Sequence, residues 1–255
     1  MNERVRRNPR TDAIWTQLHQ ALAELTASTG RRQLDIVDLG GGSGVFAVPL
    51  ARIGHRVTVV DPSPNALATL SRRAADAGVG AQVTGVQGDA AGLRSVVGAG
   101  SADVVVCHGV LEVVDDPSAA VVALAGCLRP GGLTSVVVAQ RYAAVLAKAL
   151  AGHLTDARRL LDHPDGTWGG SDPLPRRFDE AGLTALLTGG GLEIVDVHGV
   201  RILTDLVSGS VLDDPADAAT LAGLEAAAAA HPAFRAVAAA LHVLAGKPAL
   251  EQPAH

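Results

Sequence analysis

The sequence predicts an α/β fold built on a doubly wound, parallel sheet with helices on both faces, and three observations lead to it. Short apolar runs alternate with segments of helical periodicity, the pattern of βαβ units. The first run, Leu34-Asp-Ile-Val-Asp-Leu39, breaks into Gly40-Gly-Gly-Ser-Gly44, a turn that lets backbone lie directly against a ligand. The second run, Val57-Thr-Val-Val60, ends on a carboxylate, Asp61, at the strand edge where ligands bind in such sheets.

Taken in order, Thr11 to Thr29 reads as a first helix. Ile14, Leu18, Leu22 and Leu25 form its apolar stripe, and Gly30 supplies a C-cap. Residues 1–30 are therefore expected to form an arm and a helix over the cleft. Strands are expected near 34–39, 56–60, 82–87, 102–107 and 133–138, with helices near 44–53, 64–77, 89–97 and 117–128. Ser63 before Pro64 and Asp116 before Pro117 are N-cap and first-turn pairs, and Leu128-Arg-Pro-Gly-Gly132 is expected to close the helix begun at Pro117.

Residues 140–176 interrupt the alternation. A helical stretch, Tyr142 to Leu161, runs into the loop His163-Pro-Asp-Gly-Thr-Trp-Gly-Gly-Ser-Asp-Pro-Leu-Pro175, and the whole is expected to act as a lid insertion. A helix at Asp179 to Leu187, a strand near 192–200, helices near 215–230 and 232–238, and a last strand near 239–246 follow. Ala226 to Ala230 reads as helix filler. Residues 1–255 are expected to make one domain around one core.

Composition narrows the function. A net charge of −5, with Lys148 and Lys247 as the lysines, argues against a broad nucleic-acid-binding surface, although Arg4, Arg6, Arg7 and Arg10 cluster at the start. Two cysteines, Cys107 in an expected buried strand and Cys127 on an apolar helix, suit a reducing cytoplasm. No long uninterrupted apolar run suggests a membrane span, and no histidine pair with supporting cysteines suggests a metal site.

The glycine turn alone does not choose a cofactor. Gly42-Ser-Gly-Val-Phe-Ala47 also satisfies GxGxxA, with Asp61 at a dinucleotide-type distance, so NAD stays open at this point. Three features favour S-adenosylmethionine. Asp38 directly precedes the glycines, towards the charged amino end of a methionine moiety. Gly88, Asp89 and Ala90 follow the third strand and offer a carboxylate to an adenine amine. The fourth strand, Asp103 to His108, ends in polar groups.

Through VDLGGGSG, VVDPS, QGDA, VVVCHGVLEVVDDP and LRPGG, the chain resembles the class I S-adenosylmethionine-dependent methyltransferases over nearly its whole length. Within that class it is similar to the bacterial tRNA 5-carboxymethoxyuridine methyltransferases and related unassigned proteins. Arg10-Thr-Asp-Ala-Ile-Trp15, His198-Gly-Val-Arg201 and His242-Val-Leu-Ala-Gly-Lys-Pro248 carry that second likeness. The resemblance implies a Rossmann-like, mostly parallel, seven-stranded sheet with an antiparallel last strand. It also implies cofactor contacts from Arg10, Asp38, Gly40, Gly41, Gly42, Gly44, Asp61, Pro62, Ser63, Gly88, Asp89, Ala90 and His108. Arg201 matches the arginine with which the tRNA enzymes grip a substrate carboxylate, while Gln140, Tyr142 and Trp168 are the acceptor-side candidates. Ala139 and Gln140 stand where that family carries a tyrosine and an asparagine, and Leu203, Thr204 and Leu206 stand where it tends to carry aromatics or histidine. Loss of such stacking platforms weakens the case for a tRNA substrate.

The expected activity is methyl transfer to an oxygen, a carboxylate among the candidates, or to a nitrogen of a small molecule. The alternative is carboxyl methylation of a tRNA wobble uridine. An NAD-dependent oxidoreductase and a noncatalytic cofactor-binding protein are the outside readings. No residue is singled out as a general base, because in-line displacement depends mainly on positioning.

Overall fold

The computed structural model describes residues 9–249, with side chains from Thr11 onwards. Arg4, Arg6, Arg7 and the side chain of Arg10 lie outside the described residues. In chain order the elements are α1 (Pro9–Thr29), β1 (Asp35–Leu39), α2 (Ala47–Arg52), β2 (Arg56–Asp61), α3 (Pro64–Asp76), β3 (Val83–Gln87), α4 (Leu93–Val97), β4 (Ala102–His108) and α5 (Pro117–Cys127). Then come β5 (Leu128–Ala139), α6 (Arg141–Leu150), α7 (Leu154–Asp162), α8 (Glu180–Gly189), β6 (Glu193–Val200), α9 (Gly209–Asp213), α10 (Pro215–Ala229), α11 (Pro232–Arg235) and β7 (Ala240–Gly246).

The strands form one seven-stranded sheet in the order β3-β2-β1-β4-β5-β7-β6. β1 pairs in parallel with β2 on one side and β4 on the other, so Asp38 stands between Val59 and Val106. Strand order reverses between β1 and β4, the switch point at which open α/β sheets bind ligands. Parallel strands covered on both faces read as unbroken apolar runs, and Ala102 to Cys107 is buried throughout.

Contacts divide the chain into two compact units. One comprises, of the described residues, 24–137, 183–196 and 243–249, and holds the parallel strands and the glycine turn. Its core includes Leu34, Ile36, Val57, Val59, Val104, Leu124, Leu128 and Val136. At the amino ends of its strands, Asp103 accepts from the Asp35 N–H at 2.8 Å and pairs with Arg129 at 2.9 Å, while Asp35 pairs with Arg31, Arg56 and Arg129. That charge network fixes β1, β2, β4 and β5 at the end opposite the ligand edge.

The other unit comprises, of the described residues, 9–23, 138–182 and 197–242. Here Asp172 and Arg177 form a buried bidentate pair at 2.7 and 2.9 Å, and the Arg177 guanidinium also donates to the Gly166 carbonyl. Asp172 further accepts the Trp168 and Leu174 N–H groups and the Thr167 hydroxyl, so the 163–177 loop is closed around one carboxylate. Burial alone would raise the Asp172 pKa, but Arg177 and these amides hold it below the usual carboxylate value. Arg235 and Glu180 make a second bidentate pair, with two bonds of 2.7 Å.

Several expected boundaries move for identifiable reasons. The helix after the glycine turn begins at Ala47 rather than residue 44, because Gly42 (φ 56°) and Gly44 (φ 81°) hold left-handed backbone that a right-handed helix excludes. The helix expected over 89–97 is reduced to Leu93–Val97, since Asp89 first closes a turn by accepting the Gly92 N–H at 2.9 Å. The helix from Pro117 stops at Cys127, and Leu128-Arg-Pro-Gly-Gly132 opens β5 instead of closing the helix. The helical stretch after 140 divides at Gly152, whose φ is 79°, into α6 and α7. The segment expected as helix 232–238 shortens to the single turn Pro232–Arg235. Both N-cap pairs form as expected: Ser63 Oγ accepts from Ala66 N, and Asp116 Oδ1 from Ser118 N and Ala119 N.

Candidate cofactor site and acceptor residues

The glycine turn is built around two carboxylates with different roles. Asp61, at the end of β2, accepts the Gly42 N–H on Oδ2 and the Ser63 N–H on Oδ1, each at 2.9 Å. It therefore joins the turn after β1 to the start of α3. Arg73 of α3 adds a second tie by donating to the Ser43 carbonyl and hydroxyl at 3.1 Å. Gly40 donates to the Val60 carbonyl, and a Cβ on Gly40 would lie 2.5 Å from Val110 Cγ2. Val110 is thus seated against the glycine backbone.

Asp38 has no such settled role. Its side chain is 2% exposed, and Oδ2 has no hydrogen-bond partner. Burial, and secondarily the charge of Asp61, push its pKa up to about 7. The carboxyl group packs directly under Gly41, where an added Cβ would fall 2.3 Å from Oδ2. A buried polar atom without a partner carries a desolvation cost of about 1–3 kcal/mol, so its retention calls for a ligand group able to offset it. A cationic amine beside the glycine turn meets that need.

Beyond these residues opens a cavity of about 510 Å³, large enough for a nucleoside. Of the expected cofactor residues, Gly40, Asp61, Pro62, Asp89 and Ala90 line it directly. Asp38, Gly41, Gly42, Gly44, Ser63 and Gly88 are not in its lining. Gly88 packs tightly instead, an added Cβ there lying 3.2 Å from Val60 Cγ1. Most of the remaining wall comes from the segment after β4, Gly109 to Asp116, and from Ala119 and Ala120 of α5. Sequence reading took Asp116 only as a cap and gave Val110 no role. Their placement depends on the turn after His108, within the VVVCHGVLEVVDDP motif.

His108 stands next to the cavity lining. Its Nε2 lies 2.9 Å from Ser135 Oγ, and its ring stands edge-on to Phe46 with centroids 4.5 Å apart. Burial lowers its pKa to about 3, which keeps the imidazole neutral and makes it a feeble base. It joins β4 to β5 beside the cavity, while its neighbours Gly109 and Val110 line it. Glu112 is buried at 4% exposure, on a turn. Cys107 is a core residue, its thiol pushed upward by burial and then by Glu112 and Asp38.

The acceptor-side candidates belong to the other unit. Gln140 is N-cap of α6: its Oε1 accepts from Tyr142 N and Ala143 N, and its amide nitrogen donates to the Ala236 and Arg235 carbonyls. With both amide ends engaged, the structure gives Gln140 a structural role in place of the expected acceptor contact. Trp168 makes two cation–π contacts, with Lys148 Nζ 3.8 Å from the ring centroid and the Arg177 guanidinium at 4.7 Å. These cations tie the Trp168 ring to α6 and to the loop that carries it. Tyr142 is 39% exposed, its hydroxyl donating to Asp179 at 3.4 Å.

Arg201 directly follows β6 and has φ 55°, the single positive-φ residue other than glycine among the described residues. That backbone costs a residue bearing a Cβ roughly 1–2 kcal/mol. Its guanidinium pairs with Asp205 at 3.4 Å, both side chains about one-third exposed. Other arginines of this unit, which could have made a basic surface, are largely engaged within it. Arg141 donates to the carbonyls of Leu160, Leu161, His163 and Pro164, Arg158 pairs with Asp162, Arg159 lies 3.9 Å from Asp156, and Arg177 is buried on Asp172.

Comparison with known proteins adds independent findings. The family model described as a methyltransferase domain matches residues 37–136. Among curated relatives, a ubiquinone biosynthesis O-methyltransferase from Xanthomonas axonopodis pv. citri (strain 306) is 34% identical over 167 residues, 65% of this chain and 65% of the relative. The match thus spans just under two thirds of that relative's length. The tRNA 5-carboxymethoxyuridine methyltransferase of Escherichia coli (strain K12) is 28% identical over 192 residues, 75% of this chain and 70% of the relative. The crystal structure of magnesium protoporphyrin IX methyltransferase from Synechocystis PCC 6803 with bound SAH superposes with a TM-score of 0.59 at 18% identity, covering 94% of this chain and 85% of that one. That likeness speaks to the fold.

Proposed function

The chain belongs to the class I S-adenosylmethionine-dependent methyltransferases, and from that premise we propose that it methylates an oxygen or nitrogen of a small molecule. The observation that carries the cofactor choice is Asp38, a buried carboxylate with an unpartnered oxygen beneath the glycine turn. A cationic methionine amine is held there by charge, whereas the pyrophosphate of NAD would be repelled. NAD also needs a helix amino terminus at the glycines, and α2 begins only at Ala47. Both points weigh against an oxidoreductase.

In this reading Asp61 presents its remaining lone pairs to the ribose hydroxyls, Asp89 receives the adenine amine, and Pro62, Ala90 and Val110 enclose the base. When bound, the cofactor supplies a methyl group on a sulfonium centre. This chain's residues orient that end and exclude water, since positioning alone supplies on the order of 7–11 kcal/mol of barrier reduction. Arg10 is assigned to the methionine carboxylate. On the acceptor side, Arg201 is assigned to an anionic group, its planar fork suited to a carboxylate. Residues 140–176 are assigned to acceptor selection, with Tyr142 as the exposed aromatic. Two cysteines without disulfides fit the cytoplasm, and no helix among the described residues is long and apolar enough to cross a membrane.

A small acceptor is favoured over tRNA because the arginines that would make a basic surface are tied to carboxylates and carbonyls. Carboxyl methylation of a wobble uridine is the second reading, favoured by the match to the Escherichia coli tRNA enzyme and by Arg201. The test begins with calorimetry of S-adenosylmethionine, S-adenosylhomocysteine and NAD on the purified protein, followed by labelled methyl transfer to carboxylic acids, phenols, amines and carboxymethoxyuridine-bearing tRNA. Binding of NAD alone would sink the cofactor reading. Turnover confined to tRNA would replace the small-molecule reading with the second.

A further inference from the structure

The Arg201 turn is held by a carboxylate to which the function proposed above gives no part. Glu225, on α10, accepts hydrogen bonds from Ile202 N at 3.1 Å, Leu203 N at 2.9 Å, Thr204 N at 2.7 Å and Thr204 Oγ at 2.6 Å. Three successive amides converging on one anion form a nest, a rigid concave backbone element. Other contacts fix the same turn. Ala239 N donates to the Arg201 carbonyl at 3.4 Å. A Cβ on Gly199 would lie 2.9 Å from Ala238 Cβ and 3.0 Å from Ile202 Cδ1, so the chain entering Arg201 is tightly seated. Ile202 packs in a buried cluster with Ala228 and Ala238, and Ala228 lies one turn after Glu225 on α10. α10 therefore grips the turn by charge and by packing together.

The ion pair to Asp205 does not account for this arrangement, because a pair about one-third exposed on both sides is worth little. A charged residue kept in left-handed backbone by contacts from two other segments, α10 and residues 238–239, is the pattern of a side chain aimed for use. We infer that Glu225 is a positioning residue: through the 202–204 amides it sets the direction of the Arg201 guanidinium for the carboxylate of an anionic methyl acceptor. The inference rests on the acceptor role of Arg201 proposed above.

The full chain, loaded with S-adenosylhomocysteine, is titrated with 5-carboxymethoxyuridine nucleoside and with phenoxyacetate as carboxylate probes. Glu225→Ala, Glu225→Gln, Arg201→Ala and the Glu225→Ala/Arg201→Ala double variant are compared, and amide hydrogen exchange is followed across 201–206. Glu225→Ala is expected to weaken probe binding about tenfold, to leave cofactor affinity unchanged and to speed exchange at 202–204. Glu225→Gln, which keeps one acceptor oxygen, restores part of the loss. The double variant is expected to bind no more weakly than Arg201→Ala alone. Additive losses would overturn the inference, as would exchange at 202–204 unchanged in Glu225→Ala. If Arg201→Ala binds the probes as wild type does, the acceptor role of Arg201 falls and the inference with it. Faster exchange in Glu225→Ala would then show that the clamp exists but serves the fold.

Discussion

Replacing Asp38 by asparagine should stabilise the cofactor-free protein at alkaline pH while weakening its hold on the cofactor. The carboxyl group titrates near 3.8 when exposed and at about 7 in the folded chain, so the folded state retains a proton that the unfolded state releases. Stability then falls as pH rises from about 4 to 7 and stays low above it. The full shift corresponds to about 4 kcal/mol, and the part developed between pH 5 and pH 8 to about 2.5 kcal/mol. The substituted amide carries no charge, so Asp38→Asn escapes that loss, and any cost of seating the amide is common to both pH values. Urea unfolding of both proteins without cofactor, at pH 5 and pH 8, gives the comparison directly. The variant should gain about 2.5 kcal/mol over wild type between the two conditions, or about 5–10 °C in midpoint temperature. S-adenosylhomocysteine binding to the variant should be weaker at both. An equal stability difference at pH 5 and pH 8 would refute a protonated, desolvated Asp38.

Asp61→Ala removes the acceptor of the Gly42 and Ser63 amides as well as the ribose anchor, and should weaken cofactor binding by about 1–3 kcal/mol; unchanged affinity by calorimetry would reject the ribose assignment. Arg177→Ala strands Asp172, whose side chain is 1% exposed, and should cost about 3–5 kcal/mol in urea unfolding. Arg158→Ala, which loses an exposed pair, should leave the unfolding midpoint unchanged. Similar midpoints for the two variants would show the Asp172 clamp to be dispensable.

The parallel half of the sheet was legible because its strands are continuous apolar runs punctuated by glycines and by caps such as Ser63 and Asp116. Those signals are local, and each acts within a few residues. What escaped reading depends on chain segments far apart in sequence. His108 was expected as a cofactor contact, and nothing near it in the chain announced its bond to Ser135, 27 residues away. Gln140 looked like part of a cleft, but its amide reaches carbonyls 95 and 96 residues further on. Glu225 immediately precedes an alanine run on α10, and nothing local named its partners. The break at Gly152 was within reach of the sequence, since glycine followed by His153 interrupts an otherwise strong helical pattern.

The ties around the glycine turn also bear on the entropy of binding. Asp61 holds the Gly42 and Ser63 amides, Arg73 holds Ser43, and Val110 rests on Gly40 before any ligand arrives. The backbone that must meet the cofactor is therefore ordered when the protein folds, and its conformational freedom is not surrendered again at association. Encounter with the cofactor then resembles the filling of a mould, and release leaves the mould unchanged for the next turnover.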